Sequence, residues 1–569
     1  MKYDHTFGPY AGKDMLGRKL SLPQQVGKLR NDRYVGLFYF INLSWTGGKP
    51  FGDNTKIWNE TPEAFWDIND HVWDTEGCYW GEPLFGYYAH DDEWVIRRHA
   101  VMLTMANIDF IVFDVTNSSM FAENALTVMR IFNEFYQSGW DVPKVAFYTN
   151  SESGKRVQEI YETVYQQQMF PDLWFRWEGK PLIVGRPELC SKEACEFFTF
   201  RISQWPTEVT KAVNGFPWMS FERPQNIYFN DSGEKEVMSV SAAQHPQIRF
   251  GDSAFYGEEQ NRGRSYHRTF YTEQNDLIPS AVNWGYNIAE QWEYAIACDP
   301  KIVFVTGWNE WAAHPFLQTQ CKDRPVVFVD TASQEFSRDL EPMKNGHFDL
   351  YYMQLIEYVR RFKGCALWPA HCEHEIDIAG EFDQWNDIMP EYRGFLNLEI
   401  PRKHIGMNGM EYTNEGGKNN FDVMKIACGM ENIYFYARCF YDISSLNPSP
   451  SMLLFLKVKK DGCDPDDHPS WEGYHFLLNH ASIDSKISIL YECLGGWRWK
   501  PIATVPYKFS GKEFHIAAPR KALQLNEADK FQIEFKWADN LKETETAEDF
   551  YLNGCCAPYG RLNFIYVSE

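Results

Sequence analysis

The strongest constraint on the fold is an alternation. Over residues 1–364, short β-branched or aromatic runs keep returning between longer segments of helical period. The runs fall at 35–41, 110–113, 145–148, 182–184, 216–219, 236–240, 302–305 and 326–329. Several are apolar on both faces, the pattern of strands covered on both sides. Helical patterns occupy 93–106, 122–136, 154–168, 288–298 and 350–362. Strands and helices in this order fit a closed (β/α)8 barrel, with an open doubly wound sheet as the competing arrangement. After Lys363-Gly364 the period changes. Strand-like runs at 432–437, 452–458, 474–478 and 530–537 are separated by turns rich in Gly, Asn, Pro and Asp. That is the signature of a β-sandwich. The sequence predicts an α/β chain with a (β/α)8 TIM barrel over 1–364 and a β-sandwich over 365–569.

Charge narrows the partners. A formal net charge of −23 repels phosphate backbones over long range, so broad nucleic-acid binding is not expected. No apolar run approaches the roughly 18 residues needed to span a bilayer. The first residues, Met1-Lys2-Tyr3-Asp4-His5, carry no apolar signal core. The expectation is a cytoplasmic protein, or a periplasmic or secreted one whose leader was removed. Thirteen Cys without a CxxC pair suggest neither a disulfide framework nor a zinc knot. His245 and His314 stand alone, and HxH, HExxH, GxGxxG, P-loop and GxSxG patterns are all missing. No cofactor or metal is expected. His371-Cys372-Glu373-His374 holds ligand-type residues, but at the domain junction.

In a barrel of this class the reacting groups sit where strands run out at the C-terminal face. The predicted strand ends carry Asp114, Asn150, Trp218, His245 and Asp330. The richest end is Thr306-Gly307-Trp308-Asn309-Glu310-Trp311, after the seventh predicted strand. Glycoside chemistry asks for such a set: Trp308 and Trp311 to stack on sugar faces, Asn309 to bind a hydroxyl, Glu310 to act at the oxocarbenium-like centre. The competing reading is an aromatic packed strand end with Glu310 salt-bridged to a nearby loop. Trp218 and Trp284 add rings by strand ends or loops, as does Trp80. Asp91, Asp92 and Glu93 read as a helix N-terminus, whereas capping does not call for Glu82 or Tyr88, which join the binding candidates. Residues 256–264 are either a substrate lid or an ordinary solvated loop. Arg338 would grip a substrate carboxylate or sulfate, or tie Glu310 or Asp114 in place.

At Thr306–Trp311 the chain resembles the α-acting hydrolases of glycoside hydrolase family 99 and their family 71/99-like and WbsX-like relatives. Tyr87-Tyr88, residues 109–114, His245 and residues 337–342 extend the resemblance across about 30–364. It implies a retaining endo-α-mannosidase or endo-α-mannanase on a (β/α)8 barrel. It also implies that Glu310 assists the sugar 2-hydroxyl and that an acid/base glutamate follows three residues later. Here that position is Ala313. Another carboxylate would have to supply the proton: Glu335 or Asp114 first, Glu258 or Glu82 next. A separation from Glu310 of about 5–5.5 Å would imply retention, and about 6.5–9.5 Å inversion. The second domain resembles carbohydrate-binding family 9-like and DOMON-like sandwiches at 378–385, 433–435, 454–456 and 471–474. Trp385, Trp471, Trp497 and Trp499 are either sugar-facing or packed. Asp461, Asp464, Asp466 and Asp467 form an acidic turn whose spacing does not match an EF-hand.

The function expected is a hydrolase of an α-linked glycan or glycoside, with Glu310, Glu335 and Asp114 catalytic. Its rivals are a non-catalytic glycan-binding protein and, from the WbsX-like likeness alone, a role in polysaccharide assembly.

Overall fold

The computed structural model describes residues 10–117, 119–244, 262–268, 273–276, 278–317, 326–328, 331–367, 373–443, 452–460, 468–482, 484–526, 529–542 and 546–568. They form two compact units. One holds Leu29–Gly364 with Lys403–Tyr412; the other holds Cys365–Arg402, Thr413–Glu569 and, of the earlier chain, residues 10–28. No single cut after residue 364 separates them. No described helix is long and apolar enough to cross a membrane.

The first unit is a near-closed barrel. Its strands are β1 (Tyr34–Tyr39), β2 (Phe110–Val115), β3 (Lys144–Thr149), β4 (Lys180–Gly185), β5 (Thr199–Gln204), β6 (Gly215–Pro217), β7 (Lys235–Ser241) and β8 (Ile302–Thr306). Neighbours run parallel from β1 to β6, and β8 lies between β1 and β7. The seam between β6 and β7 is bridged by Tyr228–Phe229, which pairs antiparallel with β7. Asn214 N, just before β6, donates to the Phe229 carbonyl at 2.8 Å.

One expected strand is exchanged for an unexpected one. Val326–Val327 lies outside the barrel, paired antiparallel with Phe316–Leu317. Its place is taken by β5, whose Thr-Phe-Arg-Ile-Ser-Gln sequence lacks a continuous apolar run. β5 tolerates polar side chains because Arg201 is paired with Glu236 of β7 at 2.6 Å, both buried. Glu310 therefore follows the eighth barrel strand rather than the seventh.

Alternate residues fill the barrel: Phe38 and Phe40, Phe110 and Val112, Ala146 and Tyr148, Leu182 and Val184, Phe216, Val237, Ile302 and Phe304. Period-two spacing sends these side chains to one face of each strand. Gly36 makes room for the crowding: a Cβ there would meet the Phe110 ring at 2.4 Å, and that ring stacks on Phe175 at 3.9 Å. The helices α1 (Asn54–Glu60), α2 (Glu93–Met105), α3 (Ala122–Gln137), α4 (Ser153–Ile160), α5 (Lys192–Phe197), α6 (Tyr286–Cys298) and α7 (Leu350–Lys363) lie between or after the strands. Asp92 caps α2 by accepting from Trp94 N at 3.1 Å, the structural role its position predicts.

The second unit is a near-closed antiparallel barrel or sandwich. Phe421–Cys428, Asn432–Cys439, Glu513–Pro519, Trp499–Ser510, Ile487–Cys493, Phe476–Ser482, Leu453–Lys460 and Phe531–Asp539 pair in that order. Trp385 is buried against Tyr436, and Trp471 packs with Phe455 and Trp497, so these indoles face other rings. The acidic turn at 461–467 and the His371–Cys372 pair lie outside the described residues.

Candidate active site

β8 runs straight into Gly307, and the missing side chain is what lets a second segment approach. A Cβ on Gly307 would lie 3.1 Å from Asp339 Oδ1 and 3.3 Å from the Phe40 ring. Residues 338–341 close on 307–311 like a clasp. Leu340 N donates to the Gly307 carbonyl at 3.2 Å and Glu341 N to the Trp308 carbonyl at 3.1 Å. Glu310 N donates to Asp339 Oδ1 at 2.6 Å. The Arg338 guanidinium ion-pairs with the Glu310 carboxylate; Arg338 is 1% exposed and Glu310 16%. Of the roles open to Arg338, the one seen is tying Glu310.

The same guanidinium lies 5.0 Å from the centre of the Trp218 ring. Trp218 in turn stacks on Trp205 at 4.7 Å and 13°. A partly exposed carboxylate, a buried cation and a two-indole stack thus meet at the C-terminal end of the barrel. Trp205 was not among the expected residues, because it directly follows β5, the strand that the apolar pattern misses.

The other members of the aromatic motif are turned to structure. Asn309 uses both ends of its amide on Phe40: Nδ2 donates to the carbonyl at 3.0 Å, and Oδ1 accepts from the amide at 2.8 Å. Trp308 and Trp311 are fully buried, and Trp311 stacks on Trp80 at 4.2 Å and 18°. Trp311 Nε1 donates to Glu341 Oε2 at 2.5 Å, and Tyr88 OH donates to the same oxygen at 2.6 Å. Glu341 Oε1 meets His99 Nε2 at 2.9 Å, and His99 Nδ1 meets Tyr39 OH at 2.8 Å. All of these groups are buried. Trp308, Asn309, Trp311 and Tyr88, expected to face substrate, are buried in packing and hydrogen-bond contacts here. Glu341, which anchors the set, carries no sequence signal beyond its place in the 337–342 stretch.

The remaining candidates are spread around the rim. Asp114 ends β2 on the same alternation as Phe110 and Val112, and its Oδ1 accepts from Thr116 N at 2.9 Å. Glu335 Oε1 accepts from Ser265 Oγ at 2.6 Å and Ser265 N at 3.1 Å. Burial holds the Glu335 carboxyl above the usual carboxylate range, against these hydrogen bonds and the nearby Arg264. Arg264 stitches this segment to the clasp. It donates to the carbonyls of Gln334 at 2.8 Å and Asp339 at 2.6 Å, and to Ser337 Oγ at 2.9 Å. Asp339 itself is buried, and desolvation pushes its carboxyl up to about 6. Glu82 is paired with Lys56 at 3.1 Å and Lys344 at 3.4 Å. Trp284 is exposed beside Tyr286, 6.1 Å away, at the start of α6. His245, Glu258 and Asp330 lie outside the described residues. Among the described residues no group of three or more His, Cys, Asp or Glu is placed to hold a metal.

No protein-family model and no curated protein matches the chain. Among solved structures, it is similar to the GH99 endo-α-mannosidase of Bacteroides thetaiotaomicron, with 14% identity and a TM-score of 0.34 over 58% of this chain and 98% of that one. The same enzyme in complex with bis-tris-propane gives 16% identity and the same TM-score. Overlap this loose transfers neither a residue role nor a substrate.

Proposed function

We propose that the barrel is a glycoside hydrolase acting on an α-linked glycan or glycoside. The carrying observation is the Glu310 carboxylate at the end of β8, partly open to solvent and fixed by buried Arg338 beside the Trp205–Trp218 stack. Glu310 acts on the anomeric centre directly or through a substrate hydroxyl. Arg338 limits its rotamers, so little freedom is lost when the reacting geometry forms. The second carboxyl protonates the leaving oxygen and must hold its proton near neutrality. Glu335 fits that task, since burial favours its protonated form. In this reading the barrel unit is catalytic and the second unit is a carbohydrate-binding-module-like domain.

The test is hydrolysis across α-linked oligosaccharides and aryl glycosides. Glu310→Gln should fold normally and lose roughly a thousandfold or more in turnover. Unchanged turnover on a true substrate would sink the proposal.

One observation favours a second reading, a glycan-binding protein without catalysis. Ala313 offers only a methyl group, and its amide donates to the Cys78 carbonyl at 2.7 Å. That reading expects glycan retention with no cleavage by the parent chain.

A further inference from the structure

Two tryptophans on the first strand-to-helix connection, between β1 and α2, have no part in the site just described. Trp58 lies on α1 and is 40% exposed; Trp66 ends the short turn Pro62–Trp66 and is 50% exposed. Their rings sit 6.2 Å apart with 37° between planes. A single exposed ring needs no explanation, but two side by side on a rigid base are unusual for a protein surface. The base is rigid because Phe65 is fully buried beneath them. It packs on Trp58 at 5.2 Å, on Trp73 at 5.1 Å and on Phe328 at 5.9 Å.

This connection is fastened to the segments that carry Glu310 and Arg338. Asn54, which opens α1, donates from Nδ2 to the Ala313 carbonyl at 3.1 Å and to the Ala332 carbonyl at 3.2 Å. Thr55 Oγ1 donates to the Trp80 carbonyl at 2.5 Å. Trp58 stands about one helical turn, roughly 6 Å, beyond Asn54. Ala313 is three residues from Glu310, so a chain reach of about 10 Å covers that step. These steps bound the path from Trp58 to Glu310 at a few sugar units, with both residues on connections that follow barrel strands.

We propose that Trp58 and Trp66 form a platform for the distal rings of a neutral, α-linked polysaccharide whose reacting end lies at Glu310. The proposal rests on the glycosidase reading for its placement, and it extends the site outward from it. Indole faces match the axial C–H faces of pyranoses, as amphipathic rings suit a surface that is apolar on one side and wet on the other. The rim is set for hydroxyls rather than anions. Asn59, Glu60, Glu63, Asp67 and Asn69 are exposed on the same connection, and the exposed Lys56 there is paired with Glu82, so the balance offers acceptors and repels acidic polymers.

The test is native electrophoresis of the full chain carrying Glu310→Gln, in gels cast with soluble α-mannan, dextran or starch. The Glu310→Gln protein should be retarded by at least one polymer. Adding Trp58→Ala with Trp66→Ala should weaken that retardation roughly tenfold, the scale expected for losing two stacked rings. Trp58→Phe with intact Trp66 should keep most of it, which separates lost stacking from a disturbed fold. Equal retardation of the double variant, or none in any gel, would overturn the platform. So would a dimer in solution that the double variant converts to monomer, since the rings would then serve self-association. A failure of the hydrolysis reading would appear instead as an active Glu310→Gln, whatever the gels show.

Discussion

Two buried charges, Glu341 in the barrel unit and Lys536 in the second, are accommodated in opposite ways. In the barrel unit, buried ionisable groups are surrounded by partners: Glu341 receives Tyr88, Trp311 and His99, and Arg264 reaches two carbonyls and a hydroxyl. In the second unit Lys536 is buried on a strand, where its ammonium donates to the Pro558 carbonyl. Desolvation lowers its pKa to about 7. A carboxylate ringed by donors holds neighbouring segments in register, whereas a cation with little compensation mostly costs stability. Buried polarity at Glu341 thus marks where geometry is being fixed, and at Lys536 it does not.

The sharpest way to break that contrast is at Glu341. Glu341→Ala strands three buried donors and should destabilise the barrel unit by about 3–5 kcal/mol. The near-ultraviolet circular dichroism of the Trp80–Trp311 stack should fall with it. A variant as stable as the parent would mean the hub is ornamental.

Lys536→Met should act in the other direction, stabilising the second unit by about 1–4 kcal/mol in chemical denaturation. The sign follows from linkage. A lysine whose folded pKa is about 7 against an ordinary 10.5 contributes least once the pH has fallen through 7. The gain should therefore be larger at pH 6 than at pH 9, and a pH-independent gain would contradict the cause given.

Asp339→Asn tests the barrel's own exception. The Asp339 carboxyl, raised to about 6, favours the folded state below its ordinary 3.8 and loses that advantage as pH rises through 6. The amide variant keeps an acceptor for Glu310 N. It should match the parent near pH 4 and exceed it by about 1–3 kcal/mol at pH 7. The smallest effect belongs to Trp205→Ala, which removes one stacked ring from Trp218. About 0.5–1.5 kcal/mol should be lost, read as weaker glycan binding in titration calorimetry.

The architecture was largely legible because most barrel strands are apolar runs and the helices keep a clear period. β5 escaped because its Arg201 and Ser203 interrupt the apolar pattern, and partners distant in sequence, Glu236 and Glu178 for Arg201 and Asn150 for Ser203, make them burial-compatible. The run at 326–329 misled for the converse reason. Val326, Val327 and Phe328 are buried outside the barrel, where Phe328 meets Phe65 and Trp73. At the site, Glu310 and Trp218 stand out in the sequence because the end of a strand is a local feature, whereas Arg338 stands out only as a lone cation among acids. Trp205, Asp339, Glu341 and Arg264 do not, since their roles exist only once separate segments meet. In the aromatic motif Trp308, Asn309 and Trp311 are buried, and Glu310 is partly exposed.

Barrel enzymes diversify by exchanging the connections on one rim while the strands stay put. The clasp of 338–341 on 307–311 belongs to a single connection, the one from β8 to α7. The carboxylate and the arginine that fixes it therefore travel together in any exchange. Inheritance, grafting or recombination at this rim would move Glu310 and its restraint as one cassette, and a transplant cut between them would deliver a glutamate with nothing to aim it.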